Sequence, residues 1–276
     1  MNDKNSNKYD PNASAELDFD LARNEMIPLD QERRKRQEMD RTQRLQNLVA
    51  AGKQIAMMEE ENPLPGSELE RLKIIYPEMP DKKMANVFRE IRTKLIQKSN
   101  HENFVVMVSP IVGFKDDDMI TVNLAASFSL DTTKTAMLVD CHLHTPRLDK
   151  LFNLSNATGL TDFLENEDIP LEDVISPTGV ERLRLIPAGE RRESTSEYFT
   201  SVKMQILIDA VKRRYPDRYI FLDAPAIGES ADARIIYELC DYIILVIPYG
   251  KVTESKLTKI LDSLNRNKII GVIFQG

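Results

Sequence analysis

Acidic residues and a glycine loop follow apolar runs of the sequence, in a pattern that could do phosphate chemistry. Asp140 ends the run TAMLVD, Asp223 ends the run YIFLD, and Gly113 lies in a loop after NFVVMVS. Carboxylates at strand ends can organise a divalent cation, and the backbone N–H groups of a glycine loop before a helix can bind phosphate. The chemistry that these residue types would support is metal-assisted phosphoryl transfer.

The loop itself, VSPIVGFKDDDMITVNLA at 108–125, has the wrong charge for a phosphate. Lys115 is followed by three carboxylates, Asp116, Asp117 and Asp118. Two unit charges about 4 Å apart interact by about 4 kcal/mol at an effective dielectric constant of 20, so exchanging a cation for a carboxylate weakens polyphosphate binding by roughly 100-fold or more. Carboxylates do suit an empty helix N-terminus, where they satisfy free N–H groups. We therefore predict that an anion of the protein itself takes the place of the phosphate.

These residues need a scaffold, and the sequence predicts one from about residue 81 onward. Short runs rich in Val, Ile and Leu are typical of strands covered on both faces, and helical segments separate them. This alternation predicts an α/β fold with a doubly wound, mostly parallel sheet, in which ligands bind beyond the carboxyl ends of the strands. The predicted strands are 103–109, 135–140, 183–189, 219–225, 241–248 and 269–275, and the predicted helices are 84–97, 119–130, 161–165, 196–214, 230–239 and 253–266.

The first 80 residues differ in composition and lack this alternation. Residues 1–28 are rich in Asn, Asp and Ser, which predicts a disordered tail. Residues 29–62 predict a charged amphipathic helix with the basic cluster RRKR at 33–36. Residues 63–80 contain several prolines and predict a linker, which leaves 81–276 as the α/β domain.

Composition excludes several classes of protein. The net charge of −7 argues against a general affinity of the surface for nucleic acid or anionic lipid. No apolar run reaches the length of a membrane span, and the N-terminus has no signal core. Cys141 and Cys240 lack metal-binding spacing and predict buried, reduced thiols. These features favour a cytoplasmic location.

The order of the motifs resembles the bacterial tyrosine kinases (BY-kinases) of capsule and exopolysaccharide systems, within the ParA/MinD-like group of deviant Walker P-loop ATPases. The resemblance covers about 84–276. It implies a P-loop fold, ATP and Mg²⁺ as cofactors of active members, and docking on the cytoplasmic part of a membrane co-polymerase that sets polysaccharide chain length. The segments that carry it are NVFREIRTKL (86–95), NLAASF (123–128), MLVDCHLHTPRLDKLFNLSNATGLTDFL (137–164), LRLIPAG (183–189), YFTSVKMQILI (198–208), YIFLDAPAIGESADA (219–233) and CDYIILVIP (240–248).

Departures from the family's phosphate loop imply impaired nucleotide binding. The family has a glycine-Lys-Ser/Thr loop, whereas here Asp116 or Asp117 falls at the lysine position and Lys115 is out of register. Gly113 is what remains of the glycine pattern. With Lys115 and the carboxylates at 116–118, it forms a vestigial phosphate loop.

The second and third motifs are also altered. In the family's Asp-x-Asp-x-Arg motif Asp140 is kept, but His142 and His144 stand where the second carboxylate and the arginine would be. Asp223 is kept in the third motif, so Asp140 and Asp223 are vestigial catalytic candidates. A transition-metal site at His142, His144 and the acidic loop is the alternative use of the histidines. We favour structural or exposed histidines and predict no metal.

A predicted interaction surface lies on the first long helix. The family's Glu-x-x-Arg-x-x-Arg contact pattern keeps Arg89 and Arg92, while Asn86 replaces the glutamate. The resemblance therefore implies self-association, with a ring left open.

Together these features predict a pseudoenzyme: a catalytically impaired BY-kinase-like protein, without a cofactor, that acts as an interaction or regulatory component of exopolysaccharide (capsule) biosynthesis and export. Its predicted partners are the membrane co-polymerase, an active kinase paralogue or a second copy, at the inner membrane, and not nucleic acid. Two alternatives stay open. A divergent tyrosine autokinase or ATPase would use Lys115, with Mg²⁺ on Asp140 and Asp223; a MinD/ParA-like positioning adaptor would use the basic N-terminal helix.

Overall fold

The computed structural model describes residues 60, 62–114, 118–154, 157–214 and 217–275, all of which belong to one compact unit, Ala50–Gly276. The predicted disordered tail, nearly all of the predicted charged helix, and three residues of the phosphate loop, Lys115, Asp116 and Asp117, lie outside the described residues.

One sheet forms the centre of the fold. Its strands are β1 (Val105–Pro110), β2 (Thr135–Asp140), β3 (Ser176–Pro177), β4 (Leu183–Ile186), β5 (Arg218–Asp223), β6 (Tyr242–Pro248) and β7 (Ile269–Gln275), in the order β3-β4-β2-β5-β1-β6-β7. Every neighbouring pair is parallel except β3 with β4. The prediction of a doubly wound, mostly parallel α/β sheet is confirmed.

Helices cover both faces of this sheet. They are α1 (Gly66–Arg71), α2 (Lys82–Lys98), α3 (Asp118–Ser129), α4 (Leu148–Leu151), α5 (Leu160–Glu165), α6 (Ser196–Thr200), α7 (Val202–Arg214), α8 (Ala231–Leu239) and α9 (Glu254–Ser263), with a short 3₁₀ helix at Leu171–Val174. Helices α7, α8 and α9 contribute to the core on one face, and α2 and α3 to the core on the other. Strands β1, β2 and β5 are buried at every position, which explains their continuous apolar sequence.

Two predicted elements are shorter than expected because of local chemistry. The strand predicted at 183–189 ends at Ile186, since Pro187 has no N–H for the ladder and Gly189 has a φ of 82°. The helix predicted at 196–214 is broken at Ser201, which is extended. The Ser201 hydroxyl accepts the N–H of Met204 and thereby starts a new helix.

Residues 63–80, predicted as a linker, pack on the domain. Ile74 and Ile75 have no exposed surface and belong to the core beneath α2 and α3. The Asn123 side chain on α3 accepts the N–H of Ile75 at 2.8 Å and donates to the Lys73 carbonyl at 2.9 Å. This segment is thus tied to the helix that follows the phosphate loop. Among the described residues, no helix is both long and apolar enough to cross a membrane.

Candidate functional site

The strand order brings two predicted site residues together. Strand β5 lies between β2 and β1, and Asp140 is paired in register with Asp223 at the carboxyl ends of β2 and β5. Both side chains are buried, with exposed fractions of 0% and 2%. Two carboxylates this deep in a protein require positive charge or N–H groups around them.

Asp140 is satisfied by the backbone that follows it. Its Oδ1 accepts the N–H of His142 at 2.9 Å, and its Oδ2 accepts the N–H groups of Arg147 and Leu148 at 3.1 and 3.0 Å. The carboxylate therefore closes the turn after β2 and holds the start of α4.

Asp223 is held by side chains. The Thr121 hydroxyl on α3 donates to its Oδ1 at 2.7 Å, and Arg147 Nη2 lies 3.2 Å from its Oδ2. His142 Nδ1 is also 3.2 Å from Oδ2. Burial opposes ionisation of Asp223, but the charges of His142 and Arg147 outweigh burial and hold its pKa below the ordinary value.

His142 is the buried cation of the cluster. Its Nδ1 lies 3.5 Å from Asp140 Oδ1 as well as beside Asp223. Burial alone would lower its pKa, and Arg147, whose Nη2 is 2.7 Å from Nε2, adds to that effect. The two carboxylates outweigh both influences and raise the pKa of His142 to about 9. The raised pKa favours a protonated ring at neutral pH, so the two carboxylates face His142 and the guanidinium of Arg147.

This arrangement does not fit magnesium, which the resemblance implies for active members. Mg²⁺ binds one or two carboxylate oxygens and several waters in octahedral geometry. Here every carboxylate oxygen of Asp140 and Asp223 already accepts a hydrogen bond or faces a cation. His142 and Arg147 supply the positive charge that the ion would bring.

The same cluster is the one group in the described chain whose donors are spaced for a metal: Asp140, His142 and Asp223 offer ligand atoms within 4.8 Å of one another. A transition metal there would require His142 to lose its proton and Arg147 to move away. His144, the other predicted ligand, is exposed and lies 3.6 Å from Glu193 instead. The donor set therefore favours an internal ion cluster.

The loop after β1 is joined to the loop after β5. The buried Ser109 hydroxyl donates to the Pro225 carbonyl at 2.6 Å and accepts the N–H of Ile227 at 2.9 Å. The Pro110 carbonyl accepts the same N–H at 2.9 Å. A Cβ on Gly228 would meet the carbonyl oxygen of Ile111 at 2.4 Å, so the two backbones approach as closely as glycine allows.

Beside this contact, a carboxylate of the protein accepts a hydrogen bond from an N–H of the glycine loop. The N–H of Gly113 donates to Glu229 Oε2 at 3.0 Å, and Lys256 Nζ lies 3.3 Å from Glu229 Oε1. The Gly113 N–H is the main reason that the pKa of Glu229 lies below its ordinary value. The sequence predicted that a carboxylate at 116–118 takes the place of the phosphate. In the structure, the carboxylate beside Gly113 is that of Glu229. Asp118 is the first residue of α3.

The cavity beside the cluster is acidic. It measures about 450 Å³, and its lining includes the carboxylates of Glu193, Glu229 and Asp232. His144 also lines it. Three carboxylates around one opening oppose the entry of a polyphosphate.

The predicted interaction residues have different environments. Arg92 is half-buried, and its Nη1 donates to the Ser127 carbonyl at 2.5 Å, so it ties α2 to the end of α3. Arg89 lies one turn earlier on α2 and is partly exposed.

Sequence reasoning missed Thr121, Arg147 and Glu229. Arg147 follows the second motif, and its contact with Asp223 spans 76 positions. Glu229 and Gly113 are 116 positions apart. No local spacing pattern could have found these pairs.

Comparison with known proteins gives the class. No family model matches the chain. It is 28% identical over 207 residues to tyrosine-protein kinase CpsD of Streptococcus agalactiae serotype III, covering 74% of this chain and 87% of CpsD. It is 28% identical over 214 residues to tyrosine-protein kinase YwqD of Bacillus subtilis, covering 76% and 88%. The succinoglycan biosynthesis transport protein ExoP of Rhizobium meliloti is 26% identical over 216 residues, which are 74% of this chain and 26% of ExoP.

Solved structures agree on the fold. The kinase domain of Escherichia coli tyrosine kinase ETK superposes with a TM-score of 0.65 at 20% identity, covering 78% of this chain and 88% of that domain. The VpsO kinase domain gives a TM-score of 0.61 at 22% identity, covering 72% and 98%. The predicted resemblance is confirmed: the chain is a homologue of the bacterial tyrosine-protein kinases, and it has their fold.

Proposed function

We propose that this chain is a catalytically impaired relative of the BY-kinases, which acts as an interaction or regulatory component of exopolysaccharide (capsule) biosynthesis and export. One observation carries the proposal: His142 and Arg147 neutralise the two buried carboxylates, Asp140 and Asp223, that would organise magnesium.

To bind here, a magnesium–nucleotide complex would have to displace His142 or Arg147 from the buried carboxylates. Removing one partner from a buried ion pair leaves an uncompensated charge and costs about 3 to 5 kcal/mol. Such a cost reduces affinity by at least about 100-fold. Glu229 adds a second barrier, because a phosphate would compete with it for the Gly113 N–H. Because protein groups already occupy the anion and cation positions, the domain is expected to keep its shape without nucleotide.

The names of the relatives support the biological context. CpsD and YwqD are named tyrosine-protein kinases, and ExoP is named a succinoglycan biosynthesis transport protein. The matched region is 26% of ExoP, so there a domain of this kind is part of a longer transport protein. On this proposal, the chain works at the cytoplasmic face of the inner membrane through the cytoplasmic part of a co-polymerase.

Two assays test the proposal. With magnesium and radiolabelled ATP, the purified chain is expected to form neither ADP nor phosphotyrosine, whereas CpsD assayed in parallel serves as the positive control. In a pull-down, the chain is expected to retain the cytoplasmic part of the co-polymerase of its own organism equally well with and without ATP. ATP turnover that is lost on Lys115→Ala would establish the autokinase alternative instead.

A further inference from the structure

The two edges of the sheet are built differently. At one edge, β3 has only two residues, Ser176 and Pro177, and it runs antiparallel to β4. A short strand that contains proline is a common way to prevent further strand pairing. At the other edge, β7 has seven residues without proline or charge. In the described part of the chain, β7 pairs only with β6.

Exposed apolar side chains concentrate at this open edge. Six large apolar side chains are exposed among the described residues, and three of them are Tyr249, Val272 and Phe274. Val272 pairs in register with Leu245, and Phe274 with Ile247, so both belong to the same face of the sheet. Phe274 is 76% exposed. Exposed apolar side chains beside unpaired strand backbone are a feature of surfaces that pair with another strand.

The backbone of β7 also points outward at these two residues. The Gln275 carbonyl accepts the N–H of Tyr249 on the β6 side at 2.7 Å. Because successive residues of a strand direct their N–H and C=O groups to opposite sides, Ile273 also faces β6, and Val272 and Phe274 face away from it. The outward-facing residues are therefore the ones with exposed apolar side chains.

We propose that β7 pairs antiparallel with β7 of a second copy of this chain, about a two-fold axis at Ile273. Val272 then lies opposite Phe274 of the second copy and exchanges both backbone hydrogen bonds with it. The pattern is self-complementary, as a two-fold interface requires. It also buries Val272 and Phe274 of both copies on the same face.

Charge and space support a second copy as the occupant. Positions 271–275, which pair with one another about Ile273, are uncharged, so antiparallel self-pairing places no like charges opposite one another. The nearest charge, Lys268, is turned inward, where its Nζ donates to the Tyr237 carbonyl at 3.1 Å. Around Gly271, a Cβ would meet nothing within 4 Å. The inference is independent of the proposed loss of nucleotide binding.

Sedimentation of the whole chain tests the interface. We expect a dimer whose dissociation constant rises by at least about 100-fold in Phe274→Asp, since two apolar contacts are lost and two carboxylates enter the pairing face. Ile206→Asp is the matched control, because Ile206 is also exposed, at 55%, but lies on α7. A monomer at all concentrations, or a dimer indifferent to Phe274→Asp, overturns the proposal.

A disulfide cross-link tests the register in a different variant, so the result does not depend on whether Phe274→Asp folds. Residues at a non-hydrogen-bonded antiparallel pair have Cα atoms about 4.5 Å apart, within disulfide range. Ile273→Cys is therefore expected to give a reducible covalent dimer on mild oxidation. Cys141 and Cys240 are buried, and Val202→Cys, at a 76% exposed position on α7, is the control for random collision. Equal cross-linking of both variants, or none at Ile273→Cys, contradicts this register.

Discussion

At the scale of single residues, the charged groups of the site are paired with one another. His142 and Arg147 face the carboxylates of Asp140 and Asp223, and Glu229 accepts the N–H of Gly113. The contacts of Asp140 and Asp223 satisfy buried groups that are costly to leave unpaired, whereas Glu229 and Gly113 meet at the surface. Together these contacts stabilise the carboxyl ends of β2 and β5 and the loop after β1.

The pH dependence of stability follows from His142. Its pKa rises on folding from 6.5 to about 9, so the proton stabilises the folded state below the unfolded pKa, and this stabilisation is lost as the pH rises through about 9. The expected loss between pH 7 and pH 10 is about 2 to 3 kcal/mol in the free energy of unfolding. Urea denaturation at a series of pH values measures it.

His142→Gln is the control for that titration. The variant is expected to be less stable at pH 7, because Asp223 loses a buried cation, and its stability is expected to change little from pH 7 to pH 10. An unchanged slope in the variant, or a flat profile in the wild type, would rule out His142 as the buried cation.

At the scale of elements, two loops join that follow β1 and β5, strands that are neighbours in the sheet but far apart in the sequence. Ser109 bridges Pro225 and Ile227, and Gly113 continues the contact to Glu229. A phosphate loop presents its N–H groups to a ligand. In this structure the N–H of Gly113 donates to the Glu229 carboxylate.

The Ser109→Ala variant tests the contact between the two loops. The substitution leaves the partly buried Pro225 carbonyl without its donor, and the expected cost is about 1 to 3 kcal/mol of unfolding free energy. Hydrogen exchange is expected to accelerate at Ile227 and Gly113, while amides in the middle of β2 serve as the internal reference. Exchange that changes equally in all strands would indicate global destabilisation instead.

A second prediction at this scale concerns residues 63–80. Because Ile74 is fully buried, Ile74→Ala is expected to cost about 2 to 5 kcal/mol. Val87→Ala on the exposed side of α2 is the matched control and should change stability by less than about 0.5 kcal/mol. A loss as small as that of the control would mean that the segment is a linker after all.

At the scale of the whole molecule, the sequence could predict the scaffold but only part of the site. Strand β2 was predicted to the residue, because an unbroken apolar run that ends in Asp140 has few other interpretations. The approach of Asp140 to Asp223 followed from parallel strand ends. The ion pair of Arg147 with Asp223 and the contact of Glu229 with Gly113 join positions far apart in the chain, so they depend on tertiary packing that no local period encodes.

On the proposed function, internal charges occupy the positions of both the nucleotide phosphate and its metal. Isothermal titration calorimetry of the intact chain with magnesium-ATP and magnesium-ADP near pH 7.5 tests it most directly, with CpsD as the reference titration. With both positions occupied, neither nucleotide is expected to give a heat of binding at micromolar concentrations. Micromolar binding of either one would contradict it.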